Sequence, residues 1–304
     1  MAKGILIIDK PQDWTSMDVC AKLRRILGER RIGHGGTLDP MATGVLPIFV
    51  GRATRAVEFV SEGNKEYLAG LRLGQVTDTQ DITGTVLETH PVSLTREQLE
   101  RALEGFQGTI QQIPPMYSAI KIQGKKLYEL ARKGKEVERP PRTITIFSLT
   151  VEEQLNDTDY LLRVRCSKGT YVRTLCHDIG QALGCGGTMF SLRRTMAGGF
   201  SLENTHCYSL EEVVNHPDPA SLLLPVDSCF SALPPIRLRP EAERRLRNGM
   251  SIPLPHLPDG QYRVYGDQED FLALGQMDHG RLITLKSFFD VPEQTQANKG
   301  ERTH

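Results

Sequence analysis

Three helix-start signatures are scattered among strand-like stretches at uneven intervals: Thr15 with Asp18, Thr95 with Gln98, and Ser209 with Glu212. In each, a hydroxyl caps the first turn while the side chain three residues on reaches back. The unevenness excludes a regular strand–helix–strand alternation and predicts an α+β domain with a mixed, mostly antiparallel sheet flanked by helices. Gly4 to Asp9 reads as a short buried strand, and Thr15 to Leu27 as a helix that Gly28 ends. Tyr67, Ala69, Leu71 and Leu73 alternate as a strand does, as do Leu162, Val164 and Cys166. Val172, Leu175, Ile179 and Leu183 have helical spacing, and Gly184 stops that helix. Between Arg30 and Pro47 no period is visible, so that stretch reads as a glycine-rich loop.

The 304 residues suffice for about two domains. Prolines 217, 219, 225, 234 and 235 mark a linker. The expected division is a catalytic domain over 1–230, a small β-rich domain over 231–291, and a disordered polar tail over 292–304. No run of 18 apolar residues occurs, so no membrane-spanning helix is expected. The N-terminal apolar run is too short for a signal peptide. Six scattered cysteines then fit free thiols in a reducing cytoplasm.

Lysine plus arginine equal aspartate plus glutamate at 37 each, which excludes a generic polycation. The balance is local, however. Residues 111–150 carry a net charge of +5 and residues 201–304 carry −5. The basic stretch holds Lys121, Lys125, Lys126, Arg132, Lys133, Lys135, Arg139 and Arg142, with Tyr117 and Tyr128 interleaved. Such a composition suits an RNA-facing insert at about 112–142, or else a solvated helix face.

Gly33-His34-Gly35-Gly36-Thr37-Leu38-Asp39-Pro40 is the densest cluster. It is neither a phosphate-binding Walker loop, which needs a following Gly-Lys-Ser/Thr, nor a dinucleotide fingerprint. Glycines let the backbone approach a ligand, and Pro40 holds Asp39 extended. Asp39 could act as nucleophile or base, or could merely cap a turn. Cys166-Ser167-Lys168-Gly169-Thr170-Tyr171-Val172-Arg173 lies at a strand-to-helix junction. An arginine at a helix start opposes the dipole, which calls for a partner such as a carboxylate or phosphate, or a surface ion pair. Cys176, His177 and Cys185 lack any Cys-x-x-Cys support, so no metal is expected.

At these residues the chain resembles the TruB family of bacterial tRNA pseudouridine synthases. The resemblance runs through Gly4–Pro11, Gly33–Pro47, Lys65-Glu66-Tyr67, Leu73–Thr79 and Pro114–Ala119. It continues through Gly124–Tyr128, Cys166–Arg173 and Leu192-Arg193-Arg194. It implies isomerisation of uridine-55 in the T-loop of elongator tRNAs, with no metal, organic cofactor or guide RNA. It also implies a pseudouridine synthase fold followed by a PUA-like domain. Residue by residue, Asp39 falls on the family's nucleophile and His34 on a loop histidine that fills space beside the flipped nucleotide. Tyr67 falls on the tyrosine set against the uracil, Tyr171 on a second substrate-contacting tyrosine, and Arg173 on the partner of the catalytic carboxylate. Leu192 falls on an apolar pocket residue, and Lys10 with Pro11 on a motif supporting the loop.

The basic residues Lys121, Lys125, Lys126, Arg132 and Lys133 then read as RNA-backbone contacts. The expected partner is the tRNA T-arm, and the expected state is a monomer. The rivals are a non-catalytic tRNA-folding chaperone of the same fold, a guide-RNA-dependent synthase of dyskerin type, and, more distantly, a metal-dependent RNA hydrolase.

Overall fold

A computed structural model describes residues 2–118, 120–122, 124–131 and 133–289. Arg132 and the expected tail at 292–304 lie outside them. The chain divides into two compact units, with the division after Leu223.

The first unit opens with β1 (Gly4–Lys10), α1 (Ser16–Leu27), β2 (Ile32–His34), β3 (Thr43–Val50), α2 (Val57–Glu62) and β4 (Lys65–Leu73). The hairpin β5 (Gln75–Thr77) and β6 (Val86–Thr89), helix α3 (Arg96–Glu104) and β7 (Gly108–Gln112) follow. The insert folds as β8 (Lys121–Ile122), β9 (Lys125–Lys126) and α4 (Leu127–Ala131). The unit closes with β10 (Arg142–Gln154), β11 (Asp159–Cys166), α5 (Val172–Ala182), β12 (Gly187–Ala197), β13 (Phe200–Ser201) and α6 (Leu210–Asn215).

Nine strands form one sheet in the order β1-β3-β12-β4-β11-β10-β7, with β2 beside β3 and β13 beside β12. Its pairings are antiparallel except for β12 with β3, where Arg193 and Arg194 lie parallel to Thr43 and Gly44. The sheet is therefore mixed and mostly antiparallel, as the uneven element spacing predicts. All three capping boxes form, at Thr15, Thr95 and Ser209.

The stretch that reads as a periodless loop needs correction. It contains β2, and its last five residues begin β3. Thr43 aside, β3 is buried throughout, so its apolar residues run without the alternation that marks a half-exposed strand. Helices α1, α3 and α5 pack their apolar stripes on the sheet, with Leu23, Leu99, Leu103, Leu175 and Ile179 in one core with Leu6, Leu46, Ala69 and Leu162. Where α5 meets β12 the backbones nearly touch: a Cβ on Gly180 would lie 2.1 Å from the nitrogen of Gly187.

The second unit is a five-stranded sheet in the order β14-β16-β17-β18-β15. Its strands are β14 (Pro235–Arg237), β15 (Ile252–Pro253), β16 (Gly260–Tyr265), β17 (Phe271–Asp278) and β18 (Arg281–Ser287), with helix α7 (Pro240–Arg247). Val264, Leu272, Ala273, Met277 and Leu282 join Leu246 of α7 in a separate core.

On α5, burial pushes the half-buried Asp178 carboxyl up to about 6 from its ordinary 3.8. The fold thus favours the protonated form, and the charged form destabilises it at neutral pH. The penalty begins as pH rises past 3.8 and is complete above about 6. Asp178→Asn is therefore expected to raise Tm at pH 7.5, and the gain should shrink as pH falls from 6 towards 4. Melting curves of both proteins across that range check it; a gain independent of pH would show that burial of the charge is not its source.

Candidate active site

The loop between β2 and β3 carries Asp39 at the first position of a tight turn, in which the Ala42 amide donates to the Asp39 carbonyl at 3.0 Å. Pro40, with its fixed φ, occupies the second position, where such turns favour it. Three separate anchors hold this turn. The Leu38 amide donates to Ser16 Oγ at 2.9 Å, tying the loop to the start of α1. Lys10, fully buried at the end of β1, donates to the carbonyls of Pro11, Trp14 and Pro40 at 2.8, 2.6 and 3.1 Å. Burial holds the Lys10 ammonium below its ordinary pKa, while the nearby Asp39 charge acts the other way.

Arg194 is the third anchor. It is 1% exposed, and its guanidinium donates to the carbonyls of Val45 (2.7 Å), Gly36 (3.1 Å) and Thr37 (3.5 Å). This contact needs a glycine at 44, whose φ is +100° and whose added Cβ would lie 2.2 Å from the Arg194 carbonyl oxygen.

Arg173, the second residue of α5, reaches the same turn. Its Nη2 donates to Asp39 Oδ2, and its Nη1 donates to Asp81 Oδ2 at 3.2 Å. Asp81 is 3% exposed and otherwise satisfied. Its Oδ1 accepts from the Thr83 amide (3.0 Å), Thr83 Oγ1 (2.5 Å) and Thr79 Oγ1 (2.9 Å). The Arg173 side chain is 9% exposed and that of Asp39 is 36% exposed. One buried cation therefore links a locked carboxylate to an accessible one.

Tyr67 lies opposite Arg194 in the β4–β12 register, and Leu192 lies opposite Ala69. Both Tyr67 and Leu192 are 8% exposed. Burial pushes the Tyr67 phenol up, and the Arg194 guanidinium beside it opposes that. Tyr171 precedes α5. Its amide donates to Gln112 Oε1 at 2.9 Å and its carbonyl accepts from Gln112 Nε2 at 3.1 Å. Burial raises its phenol too. The charge of Asp39 acts on Lys10, Tyr67 and Tyr171 alike, so these groups converge.

His34 ends β2, with Nδ1 buried and without a hydrogen-bond partner among the described residues. Burial and then the Arg194 charge keep its imidazole below its ordinary pKa, hence neutral at pH 7.

The structure thus brings together Asp39, Arg173, Tyr67, Tyr171 and Lys10, with Leu192 two residues before Arg194 on β12 and His34 at the entrance to the same loop. It places Lys121, Lys125, Lys126 and Lys133 elsewhere, on the β8–β9 hairpin and just after α4; Lys125 and Lys133 are exposed. Asp81, Arg194, Ser16 and Gln112 are absent from the sequence-based set. Arg194 stands in the quoted Leu192-Arg193-Arg194 run, but adjacent arginines in a strand do not reveal which one points inward. Asp81 follows Asp78 within a polar turn, where one acid looks much like the other.

Three family models match the chain. They are the TruB family pseudouridylate synthase N-terminal domain over 24–172, the tRNA pseudouridylate synthase B C-terminal domain over 173–231, and the pseudouridine synthase II TruB C-terminal domain over 234–285. A tRNA pseudouridine synthase B of Clostridium kluyveri is 42% identical over 291 residues, covering 94% of this chain and 99% of the relative. One of Dehalococcoides mccartyi is 45% identical, covering 90% of this chain and 92% of the relative. Among solved structures, a chain of a Cbf5-Nop10-Gar1 complex superposes with a TM-score of 0.72 at 26% identity, covering 94% of this chain and 85% of that one. The fold is that of the pseudouridine synthases, and its small C-terminal unit is PUA-like. Within that class, the chain belongs to the TruB family.

Replacing Arg194 by Met leaves the carbonyls of Gly36, Thr37 and Val45 without their donor. The expected cost is about 2–4 kcal/mol of unfolding free energy, measured by urea denaturation. A loss under about 0.5 kcal/mol would show that the loop holds itself without this anchor.

Proposed function

We propose that this chain isomerises uridine-55 in the T-loop of elongator tRNAs to pseudouridine. The observation that carries the mechanism is the asymmetry around Arg173. Asp81 is locked by two threonines, whereas Asp39 shares the same guanidinium and keeps about a third of its side chain open. Arg173 holds one oxygen of Asp39 and leaves the carboxylate partly open. It is then ready to act on a nucleotide turned out of its loop. The names of the relatives supply the substrate class.

In the reaction the C1′–N1 bond breaks, the uracil turns without leaving, and a C1′–C5 bond forms as C5 loses a proton and N1 takes one up. Asp39 acts at C1′, at C6 or as a base on the sugar. All three routes require the same carboxylate at the same place. The detached ring must be held by shape, and Tyr67, Tyr171 and Leu192 provide apolar walls with few polar groups. Extruding the base costs a few kcal/mol of stacking. His34, neutral and compact, fills the space left behind. The catalytic domain is taken as 1–230 and the PUA-like domain at 231–291 as a second RNA-binding element. Lys121, Lys125, Lys126, Arg132 and Lys133 contact phosphates of the T-arm and fix its register.

The superposition on a chain from a multiprotein complex gives a second reading, a synthase that needs an assembly. The higher identity to relatives named tRNA pseudouridine synthase B favours the stand-alone reading, in which a cytoplasmic monomer acts without cofactor or guide.

Tritium release from a tRNA transcript labelled at C5 of uridine, with the purified chain alone and EDTA present, tests this. Wild type should release tritium and leave one carbodiimide-dependent primer-extension stop in the T-loop. Asp39→Asn should lose at least about 10³-fold in rate, with tRNA affinity held within a few fold. Tight binding without release by wild type would leave the chaperone; release only with added proteins would leave the assembly.

A further inference from the structure

Arg173 meets Asp39 only if α5 starts at one fixed residue, and nothing in the helix itself sets that start. Helices α1, α3 and α6 each carry a capping box in their own sequence. In α5 the residue at the cap is Tyr171, whose side chain makes no cap hydrogen bond, and the first turn holds no acid. Arg173, in that first turn, opposes the helix dipole besides. A start so composed is prone to slip, and a slip of one residue would carry the guanidinium about 100° round the helix.

The start is set from outside, by Gln112. This side chain is 2% exposed, and its amide engages both backbone groups of Tyr171. Its Oε1 accepts from the Tyr171 N–H at 2.9 Å, and its Nε2 donates to the Tyr171 carbonyl at 3.1 Å. That carbonyl also accepts the Leu175 amide at 3.0 Å, which is the first hydrogen bond of the helix. Its two lone pairs allow both bonds at once. The Tyr171 backbone is extended, so the Gln112 amide meets its N–H and C=O as a neighbouring strand does.

Gln112 has a fixed base of its own. It ends β7, opposite Arg142 in the β7–β10 register. The insert leaves the sheet after Gln112 and returns at Arg142, so the clamp stands at the root of the insert, where the backbone still belongs to the ladder. On the other side, Arg173 follows Tyr171 by two residues and donates to Asp39 through Nη2 and to Asp81 through Nη1. Those carboxylates stand on two further segments. The guanidinium reaches both only from one placement of the first turn.

We propose that Gln112 is a positioning residue for the reaction: its amide fixes the first turn of α5 through Tyr171 and so holds Arg173 where Asp39 requires it. Gln112 acts through these residues rather than on the nucleotide. The proposal rests on the reading of Asp39 and Arg173 as the catalytic pair. Displacing such a pair by about 1 Å costs as much as about 10²-fold in rate.

The test follows one turnover of a tRNA transcript labelled with tritium at C5 of uridine, with the full chain in excess. Gln112→Met keeps the shape and loses both bonds, whereas Gln112→Glu keeps an acceptor for the Tyr171 amide and loses the donor. The rate constant should fall about tenfold in the first and about fivefold in the second, with tRNA affinity by filter binding within about twofold of wild type. Arg173→Lys supplies charge on a flexible stem without the planar fork whose placement the clamp controls. In that background each Gln112 change should cost less than about twofold. An unchanged rate, a loss confined to tRNA affinity, or the full penalty in the Arg173→Lys background overturns the positioning role. Melting curves verify that each protein is folded at the assay temperature, and if Gln112→Met is not, Gln112→Glu carries the same comparison. Release by wild type separates the two failures: without it the catalytic reading falls and the clamp with it, whereas with it only the clamp is at stake.

Discussion

A guanidinium sealed at the start of a helix needs negative charge within reach, and the first unit is arranged around meeting that need. Arg173 occupies the second position of α5, where the helix dipole opposes a cation, and its side chain is 9% exposed. Burial of an unpaired charge would cost several kcal/mol. Asp81 and Asp39 supply the compensation from two otherwise unrelated segments, the turn after β5 and the loop after β2. The helix, the hairpin and the glycine-rich loop are thus joined at one atom group, and displacing any of them would leave a charge stranded.

That junction also explains why the loop can be open and yet fixed. Lys10 and Arg194 direct their hydrogens at backbone carbonyls rather than at Asp39. They add positive potential around the carboxylate without occupying its oxygens. The backbone of the turn is immobilised by donors from β1 and β12, and only Arg173 touches the carboxylate itself among these cations. A backbone so held, with the carboxylate about a third open, is the arrangement a reacting group requires, since positioning is paid for in folding rather than during the reaction.

Much of this was legible in the sequence, for identifiable reasons. The capping boxes are local chemistry, so Thr15, Thr95 and Ser209 announce their helices without help from the fold. Arg173 was conspicuous because its position violates a local electrostatic preference, and a violation asks for a partner. The partner's identity was half visible: Asp39 through the family resemblance, Asp81 not at all. Asp81 lies 92 residues from Arg173 along the chain, and no local rule pairs them. Strand β3 was lost for a related reason. It is buried on both faces by tertiary packing, which erases the period-two signal that would have shown it. Arg194 reads like its neighbour Arg193, yet Arg193 is 39% exposed and pairs with Asp9 at the surface, whereas Arg194 is sealed inside. Alternation says that the two face opposite ways, but not which way is in.

The single parallel pairing among the described strands of the large sheet, β3 with β12, decides that question. It sets Thr43 and Gly44 beside Arg193 and Arg194. At Gly44 the missing side chain lets the strand that leaves the Asp39 loop lie against the Arg194 backbone. The Arg194 side chain then turns inward beneath the loop it supports. The same residue faces Tyr67 across the antiparallel β4–β12 pairing. One buried arginine therefore stands between the backbone that presents the carboxylate and the ring that walls the pocket. Asp39 and Tyr67 come from distant parts of the chain, and their relative placement depends on β12 pairing with both of its neighbours.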